Sequence, residues 1–203
     1  MKQRILIAAA ISALCGCRAE PPTNNNVSEA ALQNSTAEPL VENAMQERDA
    51  ANRRSQFTSI DPAKCKLLEE NIEEGGWSRR LCDGLAGYKL ELTDSDLRQD
   101  IIVIPASGQR SELGLTEIVA NGAFNALGKT AEWRGADPAS PDALIVRLGV
   151  AADPEGRKPD ISNLIVARLK PVACIVAVVP PGASQNERAQ AIADGQLPAC
   201  LKR

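Results

Sequence analysis

Leu164-Ile165-Val166-Ala167-Arg168-Leu169 and, after Lys170-Pro171, Val172-Ala173-Cys174-Ile175-Val176-Ala177-Val178-Val179 form the stretch on which the fold turns. Short runs this rich in Val and Ile predict strands over Leu164–Leu169 and Val172–Val179. The second run is apolar at consecutive positions, so it is expected as a central strand covered on both faces. Upstream, Leu144–Val150 has the same character, and Asp153-Pro154-Glu155-Gly156 is a turn between it and Leu164. The two strands are therefore expected side by side in an antiparallel meander, each with a wetter face carrying Arg147 or Arg168. Further strands are predicted at Tyr88–Thr93 and Ile101–Ile104. Downstream, Ser184-Gln185-Asn186-Glu187 has the form of a capping box opening a helix that runs to Asp194 and stops at Gly195. Its inner face of Ala189, Ile192 and Ala193 is small enough to lie close against a sheet.

Residues 61–82 admit two readings. Asp61-Pro62 before Ala63–Glu74, with Gly75-Gly76 after it, has helix punctuation at both ends, and this local signal favours a helix. The rival is a hairpin in which Lys64–Leu68 pairs with Trp77–Cys82. The fold class expected from the whole is α+β, a mainly antiparallel sheet with few helices.

The N-terminus carries an address. Met1-Lys2-Gln3-Arg4 is a basic n-region and Ile5–Leu14 an apolar h-region of ten residues, too short to span a bilayer as a helix. Leu14-Cys15-Gly16-Cys17 then resembles the lipobox of bacterial lipoproteins, with Cys17 as acceptor. The resemblance implies removal of residues 1–16, lipidation of Cys17, and attachment to a membrane facing the periplasm. Arg18 after the acceptor, by analogy with enteric lipoproteins, favours the outer membrane. The mature chain would carry 21 basic against 26 acidic residues, so lipid rather than a polybasic patch would hold it. Residues 17–56 comprise this cysteine and a polar tether containing Pro21-Pro22-Thr23-Asn24-Asn25-Asn26. As a flexible chain the 39 residues after Cys17 reach about 31–37 Å. The folded domain is expected over residues 57–203.

With Cys15 removed and Cys17 lipidated, four of the six cysteines remain, an even number in an exported chain. Three pairings are possible. Cys65–Cys82 and Cys174–Cys200 are the expected disulfides, because each is local and joins neighbouring elements.

The chain has no histidine, which excludes histidine-based triads, His-ligated zinc and imidazole proton shuttles. A formal charge of −3 argues against nucleic acid. Gly122–Thr130 resembles a phosphate-binding loop but has five residues between its glycines instead of four. Gly182-Ala183-Ser184 lacks the closing glycine of a nucleophile elbow. Asp94-Ser95-Asp96-Leu97-Arg98 starts like a calcium loop and then places arginine where an oxygen ligand belongs. No metal site or cofactor is expected. The carboxylates Glu69, Glu70, Glu73, Glu74, Asp94, Asp96 and Asp100 supply raw material for acid–base work, although acids beside lysine and arginine commonly form a solvated face. Arg147 and Arg168, if paired across neighbouring strands, would share a sheet face and clasp a carboxylate or phosphate.

Cys82-Asp83-Gly84-Leu85-Ala86-Gly87-Tyr88 and Asp96-Leu97-Arg98, behind Cys65 and Glu69, resemble a pattern in small exported proteins of alphaproteobacteria. The resemblance implies no activity; Asp96 and Arg98 are expected to brace a turn. The functional expectation is a binding, accessory or inhibitory module of the cell envelope, with an envelope protein or peptidoglycan-related ligand as partner. A carboxylate-dependent envelope hydrolase and a structural envelope protein are the alternatives.

Overall fold

The computed structural model describes residues 55–202 apart from residue 74. The lipobox, Cys17 and nearly all of the expected tether lie outside the described residues. Ten strands form two five-stranded antiparallel sheets. The first contains β1 (Gln56–Ser59), β7 (Asn125–Arg134), β8 (Ala143–Val150), β9 (Ile161–Arg168) and β10 (Cys174–Val179), in that spatial order. The second is a meander of β2 (Lys66–Asn71), β3 (Trp77–Asp83), β4 (Lys89–Ser95), β5 (Arg98–Ile104) and β6 (Ser111–Glu112). A single 3-10 turn, Pro62–Lys64, precedes β2, and two helices, α1 (Leu115–Ile118) and α2 (Gln185–Asp194), complete the described fold. The α+β class and the predominance of antiparallel sheet are thus as expected.

The alternation of β8 organises the layers. Leu144, Val146 and Leu148 face Leu90, Leu92, Ile101 and Val103 of the second sheet in the main core, together with Trp133 and Ile175. Ala143 and Ile145 face the other way and pack with Leu164, Val166 and Val176 against Ala189 and Ala193 of α2. The first sheet is therefore buried on both sides, which accounts for its near-continuous apolar strands. Trp133 anchors the core: its Nε1 donates to Thr58 Oγ1 at 2.8 Å, and its ring lies 5.5 Å from that of Tyr88. Gly84 leaves room for it, since a Cβ there would stand 2.8 Å from the Trp133 ring.

Both expected disulfides are present. Cys65–Cys82 has a Cα separation of 4.5 Å and Cys174–Cys200 one of 5.7 Å.

Three local expectations are corrected. Residues 61–73 do not form the expected helix. Asp61 does act as an N-cap, accepting from the Ala63 amide at 3.2 Å, but the turn ends at Lys64 and Cys65 is extended. The hairpin prevails because its gains are nonlocal. The disulfide holds Cys65 to β3, Glu69 and Glu70 face Arg79 and Arg80 at 3.3 and 3.4 Å, and Gly75 and Gly76 take the positive φ values of a turn. Residues 172–179 give an edge strand, β10, rather than a central one. Its two apolar faces meet the second sheet and α2, which cover it without lateral neighbours on both sides. Ser184 does not cap α2 with its hydroxyl; it sits at φ 51° and offers its carbonyl to Arg188 N at 2.9 Å. The Gln185 side chain instead ties the start of the helix to the sheet, donating to Ser162 O and Val179 O, each at 2.9 Å. The Asp153–Gly156 turn is as expected, with the Gly156 amide bonded to Asp153 O at 2.9 Å.

Candidate functional site

Two surfaces gather chemistry. The first is centred on Arg147. β7 pairs with β8 in register up to Leu127, opposite Leu148, and resumes at Ala131, opposite Val146. Gly128-Lys129-Thr130 thus bulge out opposite Arg147 alone. Bulges of this kind re-aim side chains and open space in a sheet. Gly128 suits the position because a Cβ there would lie 3.0 Å from Arg147 Cβ. The resulting cavity has a volume of about 310 Å³ and is walled by Phe57, Lys129, Glu132, Arg147, Asn186 and Gln190, among others. The near-miss phosphate loop of the sequence therefore supplies a strand bulge.

Among the described residues, Arg147 is held by neutral oxygens only. Its Nη1 donates to Ser162 Oγ at 2.9 Å and Gln185 Oε1 at 3.1 Å, and its Nη2 donates to Asn186 Oδ1 at 3.4 Å. By contrast, Arg79, Arg80, Arg98, Arg110, Arg134 and Arg157 each hold a carboxylate. Arg168 lies on the same sheet face as Arg147, but the structure does not bring them together. Arg147 stands opposite Leu164 and Arg168 opposite Ala143, four residues apart along the ladder or about 13 Å. Ile145 and Val166 occupy the intervening positions and pack on α2.

The second surface was missed in the sequence. Ile72, Trp77 and Leu97 are 89%, 37% and 66% exposed. They line a groove of about 540 Å³ between the β2–β3 and β4–β5 turns, whose rim includes Glu70, Arg80, Asp94 and Asp96. Leu97 is also shared with a neighbouring hollow of about 270 Å³ that holds Asp94, Phe124, Asp153 and Asp160. The two turns are tied together, for the Asp96 amide donates to Gly75 O and Gly76 O at 3.1 Å. Arg98 braces the β4–β5 turn: it pairs with Asp96, donates to Gly122 O at 2.8 Å, and lies 4.6 Å over the Phe124 ring. Asp96 and Leu97 both adopt left-handed backbone, with φ of 50° and 59°. A two-residue hairpin turn of this type prefers Asn-Gly, so a bulky leucine there is strained. Leu97 figured in the sequence only within the calcium-like run and the Asp96-Leu97-Arg98 pattern, and nothing there joined it to Ile72 or Trp77 across the two turns.

The carboxylates of the groove between the turns are engaged by neighbouring side chains. Glu70 pairs with Arg80, Asp94 accepts from Gln99 at 2.7 Å, and Asp96 pairs with Arg98. Burial pushes the Asp100 carboxyl up to about 6, with Glu112 and Glu117 adding to the effect against the amides that oppose it. Its oxygens, however, accept from the Ile101 amide of β5 and from the Gly114 and Thr116 amides at the start of α1, and it lines none of the three cavities described above. Glu91 is 1% exposed. Burial alone would raise its carboxyl, but Arg79 and Arg110, at 2.8 and 2.7 Å, hold it below its ordinary range. Among the described residues no three His, Cys, Asp or Glu side chains are grouped to hold a metal ion. Comparison of the chain with protein families, with curated proteins and with solved structures finds no match.

Proposed function

We propose that the protein is a lipid-tethered binding module of the bacterial envelope, facing the periplasm, that docks a partner protein in the groove between its two hairpin turns. The observation that carries this reading is the gathering of Ile72, Trp77 and Leu97 on one exposed surface, with Leu97 held there by strained backbone. An aromatic anchor among aliphatic side chains with a polar rim has the make-up of an interface hot spot. Of the acids around the two hollows, Glu70, Asp96 and Asp153 are ion-paired with Arg80, Arg98 and Arg157, which leaves Asp94 and Asp160 as the excess negative charge. The segment that fits is therefore apolar with flanking lysine or arginine. The lipobox resemblance supports the tether and the compartment, and Arg18 supports the outer membrane.

The test is photocrosslinking in intact cells, with a photoreactive residue at Ile72 and a control at Ile161, which is also exposed but lies on β9. One partner is expected from the first position only, captured through a peptide with basic residues beside apolar ones. Equal capture from both positions, or capture through an acidic peptide, would refute the reading.

A further inference from the structure

We infer that the cavity beneath the β7 bulge binds a singly charged organic carboxylate, of the kind presented by a free peptide C-terminus. The proposal is independent of the hairpin groove and rests on the state of Arg147. A guanidinium carries five donors and a fixed positive charge. Here Ser162, Gln185 and Asn186 orient it, yet none neutralises it, and no ion pair to a carboxylate forms among the described residues. Among the described residues its Nε and one hydrogen of Nη2 have no hydrogen-bond partner. A cation positioned by neutral acceptors at the wall of a cavity is arranged to receive its counter-ion from outside.

The remaining walls select the ligand. Lys129 is contributed by the bulge itself and is only partly occupied by Asp61, at 3.3 Å with the lysine largely exposed. It adds a second positive charge on the same cavity. Glu132 lies on that wall too, with Oε1 accepting from Ser55, Arg134 and Gln190. Its negative charge disfavours a dianionic phosphate more than a monoanionic carboxylate. Phe57, Ile145 and Leu164 provide an apolar wall, and the amides of Asn186 and Gln190 provide hydrogen-bonding groups for a peptide. A volume of about 310 Å³ is at the small end of ligand cavities, which suits a fragment of one or two residues.

The experiment is a titration of the full-length, isotope-labelled protein in detergent micelles, read by nuclear magnetic resonance. The probes are N-acetylalanine, N-acetylalaninamide and inorganic phosphate. The acid is expected to shift the backbone amides of Lys129 and Thr130 and the side-chain amides of Asn186 and Gln190 saturably, while the amide leaves them in place. Arg147→Gln should weaken the acid roughly tenfold or more, the loss of a charge-assisted hydrogen bond. Lys129→Gln, at an exposed position that leaves folding intact, should weaken it roughly two- to fivefold. Equal shifts with the amide, tighter binding of phosphate, no saturable shift with the acid, or an unchanged affinity in Lys129→Gln would each overturn the assignment.

Discussion

At the scale of single residues, Leu97 sets stability against the proposed docking. A leucine at φ 59° is disfavoured by about 1–2 kcal/mol relative to right-handed backbone. Glycine removes that strain and gives part of it back through the greater freedom of the unfolded chain. Leu97→Gly is expected to raise the stability of the fold by about 1 kcal/mol while abolishing capture of the partner at Ile72. A denaturation midpoint that falls, or capture that survives, would break the link between strain and docking. Asp100 gives a second test, through pH. Its carboxyl has an ordinary value of 3.8 and is pushed by burial up to about 6 in the folded chain. The folded state thus binds the proton more tightly, so this group's contribution is fully present below pH 3.8 and is lost as the pH rises through 6. Relative to Asp100→Asn, the wild-type chain should gain on the order of 2–3 kcal/mol on going from pH 7 to pH 4. Urea midpoints of the two proteins that run parallel across that range would contradict the assignment.

The elements show what was legible in the sequence and why the rest was not. The strands with β-branched runs were readable because tertiary contacts reinforce their local pattern: β8 and β9 alternate between the main core and the α2 face. β7 was not, because Gly128-Lys129-Thr130 interrupt its period, and the interruption is the bulge that makes the Arg147 cavity. The sequence singled out Arg147 but offered Arg168 as its companion; Lys129, which lines the same cavity, was seen only as part of a failed phosphate motif. The β2–β3 hairpin carried helix punctuation at both ends, and its pairing depends on a disulfide and on cross-strand ion pairs that no local window weighs. β10 was legible as a strand but not as an edge. Edges invite association with other chains, and this one is covered where the Leu201 amide donates to Ile175 O at 2.8 Å, with Cys200 bonded to Cys174 beside it. Replacing both Cys174 and Cys200 by alanine should therefore do two things. It should lower stability by about 3 kcal/mol, and it should free the edge so that the protein self-associates as its concentration rises. Light scattering that stays monomeric after the loss of stability would show that the tail's hydrogen bond protects the edge without the disulfide.

In the whole molecule, the start of the described fold is clamped, and this governs what the proposed anchor is able to influence. Ser55 Oγ donates to Glu132 Oε1 at 2.6 Å, and Arg134 bonds Ser55 as well as Asp194 at the end of α2. Arg134 is buried and Asp194 nearly so, at 8% and 11% side-chain exposure, so the network ties the first residue of the described fold to β7 and α2. The tether expected before it is polar and poor in apolar groups, a composition expected to contribute little to folding. Anchoring and folding should then be separable. Cys17→Ser, which removes the acceptor of the lipobox, is expected to move the protein from the membrane fraction to the soluble periplasm. Both disulfides and the denaturation midpoint should be unchanged, because every contact named in the core lies within residues 55–202. Partner capture at Ile72 should fall in cells, since a tether confines the groove near the membrane and raises its effective concentration toward a partner held there. The purified soluble variant should nevertheless bind the isolated partner as tightly as the lipidated form, because the groove itself is untouched. Retention of Cys17→Ser in the membrane fraction would refute lipidation at this residue. Undiminished capture by the released protein would place the partner in the periplasm, free of the membrane.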